Sequence, residues 1–395
     1  MVVVNKLIRA SKQGNVERVK QLIKRGDDID AEEKVIMTPA SYNFDTIWYR
    51  TALMLACDKG HVEVVRVLLA AGATVNQSTK NYTKNDITPL YIASENGHLE
   101  IVQLLIASGA SVNLANKDNY TPLYVASQNG HLEIVKVLIA SGASVNHAGT
   151  YNVTSLCTAS AYGHLEIVEV LIASGASVKH SASSLGWTPL YIASVKGHLE
   201  IVQLLIASGA SVNQANKNGD TPLYIASLND HFGIVQLLIA SGASVNQAAS
   251  RGWTPLHAAS AYGQLEIVQL LIASGASVNR ADEDGDTPLH IASKSGQLER
   301  VKVLLTNHAN CHNNNNSGKT PIDVARPHIK SFMLENFLWY RRRSLILTRP
   351  HDDHETNEEH KLGHLSELIT ATKTDDPNGS DCLLYLLKMK IARFL

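Results

Sequence analysis

The stretch TPLYIASENGHLEIVQLLIASGA, residues 88–110, decides the fold because the chain repeats it. Nearly the same letters return as TPLYVASQNGHLEIVKVLIASGA from Thr121 and as TPLYIASVKGHLEIVQLLIASGA from Thr188. Aligning these starts gives a period of about 33 residues, which predicts a stack of small, similar structural units. The aligned units begin at Thr88, Thr121, Thr154, Thr188, Thr221, Thr254, Thr287 and Thr320, and less regular copies start near Lys6 and Arg50.

Each unit has the signals of two short helices. Thr88 can cap a first helix whose first turn takes Pro89, where the missing N–H is not needed. Gly97 can end that helix in the left-handed conformation, and Gly109 can end the second helix in the same way. The IVQLLIA run of the second helix is apolar almost all round, which predicts that neighbouring units cover it. The unit is therefore helix, turn, helix, followed by an extended turn.

The pattern T-P-L-x-x-A, then G-H-L-E-I-V, then L-L-I-x-x-G-A-x-V-N closely resembles the ankyrin repeat over roughly residues 5–330. The resemblance implies an all-α ankyrin-repeat solenoid of about nine helix-turn-helix repeats plus a partial C-terminal repeat, then a helical tail. The family usually has His directly after Thr-Pro-Leu. Here Tyr91, Tyr124, Tyr191 and Tyr224 stand there, with His only at 257 and 290.

Departures from the period divide the chain. We expect an N-terminal capping repeat at 1–30, an inserted loop at 31–50, an ankyrin repeat array at 51–319, a partial repeat and C-terminal cap at 320–340, and a polar linker with a short helical tail at 341–395. Phe332 and Leu334 are among the apolar residues expected to cover the last repeat. The inserts at 31–50 and 77–87 fit either recognition loops or neutral loop growth, which costs little closure entropy.

Composition excludes several classes of protein. The net charge of -1, from 35 basic and 36 acidic residues, gives no field to attract nucleic acid or a membrane surface. The four scattered cysteines predict reduced thiols, and no apolar run reaches the roughly 18 residues of a transmembrane segment. We therefore expect a cytoplasmic protein, with the nucleus as the alternative compartment.

No motif of catalysis is present. The sequence has no Gly-rich phosphate loop, no H-E-x-x-H and no G-x-S-x-G. One His per repeat, at the place of His98 and His131, spaces the rings farther apart than metal ligands, so a structural role is expected. The His- and Asp-containing segment 349–362 could bind a metal but fits a polar linker better. We expect no enzyme, cofactor or metal.

Partner-binding residues follow from the resemblance. In ankyrin proteins the partner usually meets the turn before Thr-Pro-Leu and the end of the first helix. Carried over residue by residue, this implies a partner-binding set of Tyr120, Tyr151, Tyr162, Trp187, Lys196, Asp220, Trp253, Tyr262 and Asp286. Exposed Trp and Tyr dominate protein-interface energetics. The alternative is that the aromatic rings pack on their own turns.

These observations predict a non-catalytic protein-protein interaction scaffold. The resemblance implies that it binds partner proteins through the ankyrin turn edge and concave face, as a monomeric array that binds no nucleic acid. The alternative is an adaptor that presents bound cargo to an enzyme complex, for example a ubiquitin ligase, through the helical C-terminal tail. The sequence does not identify the partner.

Overall fold

The computed structural model describes residues 5–37, 46–79 and 86–335. Within these ranges eighteen α-helices form nine consecutive pairs, which confirms the all-α repeat fold and the number of repeats. The first helices of the pairs are α1 (Lys6–Lys12), α3 (Ala52–Asp58), α5 (Pro89–Glu95), α7 (Pro122–Gln128), α9 (Ser155–Tyr162), α11 (Pro189–Lys196), α13 (Pro222–Leu228), α15 (Pro255–Ala261) and α17 (Pro288–Ser295). The second helices are α2 (Val16–Lys24), α4 (Val62–Ala70), α6 (Leu99–Ala107), α8 (Leu132–Ala140), α10 (Leu165–Ala173), α12 (Leu199–Ala207), α14 (Phe232–Ala240), α16 (Leu265–Ala273) and α18 (Leu298–Thr306).

The helix ends follow the local sequence. The Thr88 hydroxyl accepts a hydrogen bond of 3.2 Å from the Tyr91 backbone N–H, and Pro89 occupies the first turn. Gly97 follows α5 with φ +80°, and Gly109 follows α6 with φ +88°. Both glycines therefore hold the left-handed conformation that ends a helix, as predicted.

Contacts divide the chain into two units, Met1–Pro222 and Leu223–Leu395. In the first unit, α3, α5, α7, α9 and α11 pack side by side in one row, and α4, α6, α8, α10 and α12 form a second row. In the second unit, α15 packs on α17, while α14, α16 and α18 form the other row. The core lies between the rows, where Leu90, Val102 and Leu105 are at most 1 % exposed.

The described residues of the insert at 31–50, where an inserted loop is predicted, include two paired strands. Strands β1 (Glu33–Met37) and β2 (Thr46–Arg50) pair antiparallel, with Val35 opposite Trp48. The β-branched and aromatic residues of EKVIM and TIWYR carried the signal for strands. Arg50, at the end of β2, is buried and forms an ion pair of 3.3 Å with Asp58 at the end of α3.

The second insert closes at its base. The Thr79 N–H donates to the Ile87 carbonyl at 3.0 Å, and the Ile87 N–H donates to the Thr79 hydroxyl at 3.2 Å. Residues 80–85 lie outside the described residues. Whether this insert is a recognition loop therefore stays a prediction.

The C-terminal end of the described chain departs from the repeat. Residues 321–325 form turns rather than a first helix, and residues 327–335 are helical. Ile329 is fully buried and Met333 is 5 % exposed, whereas Leu334 is 41 % exposed. The expectation that Leu334 covers the last repeat was wrong, because Ile329 and Met333 occupy the buried side of this turn of helix. The predicted linker and helical tail at 341–395 lie outside the described residues. Among the described helices, none is both long and apolar enough to cross a bilayer.

Candidate functional site

Neighbouring turns are joined backbone to backbone in residues 1–222. The Thr150 N–H donates to the Asp118 carbonyl at 2.8 Å, and the Ser183 N–H donates to the Tyr151 carbonyl at 2.5 Å. These bonds link successive turns, so the turn edge is a ladder with fixed backbone positions. Side chains carried on it are consequently held in place.

The asparagine of several SVN triplets adds a second link that was not predicted from the sequence. The Asn113 side-chain N–H donates to the Gly142 carbonyl at 3.0 Å, and its oxygen accepts from the Ser144 N–H at 2.7 Å. Asn146 makes the same two bonds with Gly175 and Ser177. The recurrence of Asn at a fixed place was the available signal.

The recurring histidines join each repeat to the one before it. His131 Nε2 lies 3.0 Å from the Glu95 carbonyl, and because a carbonyl only accepts, Nε2 carries the proton. The His131 ring also lies over Gly97, where an added Cβ would be 2.7 Å from Cε1 of the ring. The same contact joins Gly60 to His98, Gly130 to His164 and Gly163 to His198. These contacts give the histidines the structural role that was predicted.

Within the described residues, no three His, Cys, Asp or Glu side chains gather where they could hold a metal ion. The segment 349–362 lies outside the described residues.

Three of the predicted partner-binding rings stack on a residue of the helix that follows them. The pairs, with their centroid separations, are Tyr120 with Tyr124 (4.1 Å), Trp187 with Tyr191 (6.1 Å) and Trp253 with His257 (6.2 Å). The Trp253 indole N–H also donates to an Asp282 carboxylate oxygen at 3.0 Å. Packing against their own turn and helix therefore explains much of the contact surface of these three rings, although Trp187 remains 37 % exposed.

The two predicted aspartates accept hydrogen bonds from asparagine side chains. Asp220 accepts from the Asn216 side-chain N–H at 3.0 Å, and Asp286 accepts from the Asn315 side-chain N–H at 2.8 Å. Lys196, in contrast, is exposed as the last residue of α11.

Three predicted tyrosines point into solvent. Tyr151 is 72 % exposed, Tyr262 is 66 % exposed and Tyr162 is 58 % exposed. Tyr151 has a φ of +58°, which is uncommon for a residue with a side chain. The backbone bonds of the turn edge hold it in this conformation.

Five tyrosines of residues 1–222 are grouped here as the tyrosine cluster: Tyr91, Tyr120, Tyr124, Tyr151 and Tyr162. Tyr120 links its neighbours, because its ring stacks on Tyr124 and its hydroxyl donates to the Thr150 carbonyl, next to Tyr151, at 3.5 Å. Burial raises the pKa of Tyr124 to about 12, despite its hydrogen bond with Thr158, and the nearby hydroxyls of Tyr120 and Tyr162 add to the rise. Burial likewise raises the pKa of Tyr120, with Asp118 and Tyr151 contributing. The hydroxyl of Tyr162 also accepts from the Gln128 side chain at 3.3 Å.

Two carboxylates border the tyrosine cluster. Glu95, at the end of α5, and Asp118, in the following turn, both help to raise the pKa of the Tyr91 hydroxyl. Burial of Tyr91 is the largest cause of that rise. Partial desolvation raises the pKa of Glu95, while Arg50 opposes the rise and Asp58 adds to it. Among the described side chains, neither Glu95 nor Asp118 forms an ion pair.

Comparison with known proteins agrees with this architecture. The profile of the family described as ankyrin repeats (3 copies) matches residues 7–116, 78–149, 105–182, 156–249, 210–282, 234–317 and 278–328. No curated protein matches the chain by sequence. Among solved structures, the human ASB11 ankyrin repeat domain is similar, with 29% sequence identity and a TM-score of 0.51. That similarity covers 56% of this chain and 98% of the ASB11 chain.

The likeness of fold is widespread, since 609 chains of known structure match, so it selects no particular partner. Ankyrin repeats are generally protein-protein interaction modules, and the helix pairs, the joined turns and the family match all cover the same residues. The chain belongs to the ankyrin repeat family.

Proposed function

We propose that this protein is a non-catalytic scaffold that binds partner proteins through the turn edge and the exposed side of the first-helix row in residues 1–222. The observation that carries the proposal is the exposure of Tyr151 and Tyr162 on turns and helices that are hydrogen-bonded to their neighbours. Neither exposed ring fills the core between the helix rows, although the Tyr162 ring stacks on His164 with centroids 6.3 Å apart.

Tyrosine on a rigid frame suits recognition. Its ring offers a large amphipathic contact area and loses the freedom of only two torsion angles when it is fixed. The Tyr151 backbone is already held by the Ser183 N–H, and the Tyr162 hydroxyl by Gln128, so less entropy is lost on binding. Such residues are enriched among interface hot spots.

A pull-down from cell lysate with mass spectrometry tests the proposal. The full chain is compared with the double variant Tyr151→Ala, Tyr162→Ala and with a control, Leu199→Ala. Leu199 is 37 % exposed at the start of α12, so the control removes an apolar side chain from the other helix row. Circular dichroism checks that each variant folds.

We expect a defined set of proteins that the wild type and Leu199→Ala capture and the tyrosine variant loses. Equal capture by all three would contradict the proposed surface. The predicted partner residues Lys196, Asp220, Trp253, Tyr262 and Asp286 would then be the next to be substituted.

The second candidate function is an adaptor. The ankyrin match ends at residue 328, whereas the chain continues to Leu395, which leaves a non-repeat segment that could dock on an enzyme complex. Deleting residues 341–395 separates the two functions. An adaptor would keep its captured cargo and lose a larger complex, while a simple scaffold would keep every captured protein.

A further inference from the structure

We propose that the tyrosine cluster, with Glu95 and Asp118, binds a lysine or arginine side chain in an extended basic segment of the partner protein. This inference rests on the proposed function and names the chemistry of the partner. It is argued from the rings, the charges and the spacing of the repeats.

The rings supply the first part of the argument. A Lys or Arg cation is attracted to the electron-rich face of an aromatic ring. The exposed rings of Tyr151 and Tyr162 belong to the same group as the stacked pair Tyr120 and Tyr124, whose centroids are 4.1 Å apart. A cation at Tyr151 or Tyr162 would meet a ring that is open to solvent.

The charges supply the second part. Glu95 and Asp118 form no ion pair among the described side chains, although the Arg50 guanidinium offsets part of the charge of Glu95. Both nearby cations are shared with other carboxylates, because Arg50 pairs with Asp58 at 3.3 Å and Lys117 pairs with Asp86 at 3.4 Å. The field at the cluster therefore favours a positive group and disfavours an acidic one.

The spacing of the repeats supplies the third part. The cluster lies on three adjacent helix pairs, those of α5, α7 and α9, and helices pack about 10 Å apart. The cluster therefore extends for roughly 20 Å, which an extended peptide of about six residues spans at 3.3–3.6 Å per residue. A linear segment with one or two basic residues fits this length.

Phe232 offers a control from the chain itself. It is an aromatic residue outside both the tyrosine cluster and the predicted partner-binding set. Phe232 lies at the start of α14 and is 38 % exposed. Substituting Phe232 should leave the binding of a basic peptide unchanged.

The experiment uses a display library of random 12-residue peptides, selected on the immobilised full-length protein. We expect enrichment of Lys or Arg over Asp and Glu in the selected peptides. The best peptide is then synthesised with Arg or Lys and, as a neutral control, with citrulline or norleucine at the same position. Its affinity is measured for the wild type and three variants.

For the basic peptide, Tyr151→Ala with Tyr162→Ala should weaken binding about tenfold or more. Glu95→Gln with Asp118→Asn should weaken it about threefold to tenfold at low salt, and less at high salt because exposed charges are screened. Phe232→Ala should change it less than about twofold, and the neutral peptide should bind as weakly as the basic peptide binds the tyrosine variant.

Two results would overturn the inference. If the selected peptides are acidic or wholly apolar and the tyrosine variant does not bind them, the partner segment is not basic, but the proposed scaffold surface is supported. Peptides that bind the tyrosine variant as well as the wild type, or no selected peptide at all, would show that the cluster binds no linear basic segment. The pull-down then decides the scaffold function separately.

Discussion

Two nearly identical stretches of this protein fold differently. Residues 159–168 read ASAYGHLEIV and residues 259–268 read ASAYGQLEIV, so they differ only in His164 and Gln264. In the first stretch α9 includes Tyr162, and the following glycine has φ +82°. In the second stretch the helix ends one residue earlier, and Tyr262 is its cap with φ -129°. The first helices of these two repeats thus end differently although only one residue differs between the two stretches.

The cause lies in the preceding repeat. The His164 N–H donates to the Ala159 carbonyl at 3.1 Å, the bond that closes a left-handed helix end. The Gln264 N–H donates instead to a carboxylate oxygen of Asp230 at 2.7 Å. Asp230 occupies the repeat position of Gly130, and its side chain fills the place where a His ring would lie. Gly130 with His164 and Asp230 with Gln264 are thus two different pairs at the same place of a repeat boundary.

The largest expected effect comes from breaking the first pair with Gly130→Ala. Gly130 has φ +80°, and a Cβ there would lie 2.7 Å from Cε1 of His164. The left-handed conformation costs roughly 1–2 kcal/mol for a residue with a side chain, and the displaced ring adds to it, so we expect a loss of about 3 kcal/mol. Urea unfolding followed by circular dichroism measures the change in the free energy of unfolding.

Gly142→Ala is the matched control. Gly142 has φ +87°, but no atom lies within 4 Å of an added Cβ. It should lose only the cost of the conformation, about 1–2 kcal/mol. Equal losses for the two variants would contradict the claim that the His ring requires the glycine.

A smaller effect is expected from mixing the two pairs with Gln264→His. The new ring would meet the Asp230 side chain, so we expect a loss of about 1–2 kcal/mol. Adding Asp230→Gly should recover most of it, because the glycine makes room for the ring. Unfolding of both single variants and the double variant gives the coupling energy, and strictly additive losses would refute the pairing.

The smallest effect concerns His257, which stands at the repeat position of Tyr91, Tyr124 and Tyr191. Its Nδ1 accepts from the Thr254 N–H at 3.2 Å and its Nε2 donates to the Asp286 carbonyl at 3.1 Å, so the ring is held neutral. Burial lowers the pKa of His257, although the Asp286 carbonyl and the Asp282 carboxylate oppose this and Arg280 supports it. Because the folded state disfavours the charged ring, stability is complete above the ordinary His pKa and falls as the pH drops through it.

His257→Tyr should remove this dependence, since tyrosine does not titrate there. Between about pH 7.5 and 5.5 we expect the wild type to lose up to about 1 kcal/mol more than the variant. Unfolding midpoints at several pH values measure it. Parallel pH profiles would mean that His257 has the same pKa in the folded and unfolded states.

The features that could be predicted from the sequence are those encoded within each single repeat. The Thr-Pro starts, the glycine ends and the pairing of helices depend on residues a few positions apart, so aligning the copies was sufficient. The contact of each glycine with the next histidine depends on packing between repeats. The sequence marks this contact only where it is absent, because Asp230 replaces the glycine and Gln264 replaces the histidine. Only the packing between repeats explains why the two residues change together.

The candidate site was less predictable for the same reason. Tyr120 and Tyr151 look alike in sequence, both in turns before a repeat start, yet one stacks on Tyr124 and the other is 72 % exposed. Two residues separate Tyr151 from Thr154, whereas Tyr120 directly precedes Thr121, so Tyr151 lacks the spacing that lets Tyr120 reach the following ring. The acids of the cluster, Glu95 and Asp118, come from a helix end and a turn that only stacking brings together.

The most direct test of the account is the affinity of a captured partner for the Tyr162→Ala and Tyr262→Ala variants. Isothermal titration calorimetry with the purified partner gives both values against the wild type. We predict that Tyr162→Ala weakens binding about tenfold, which corresponds to about 1.4 kcal/mol, and that Tyr262→Ala changes it less than about twofold. Equal effects of the two substitutions, or none from Tyr162→Ala, would contradict a binding surface built on the tyrosine cluster.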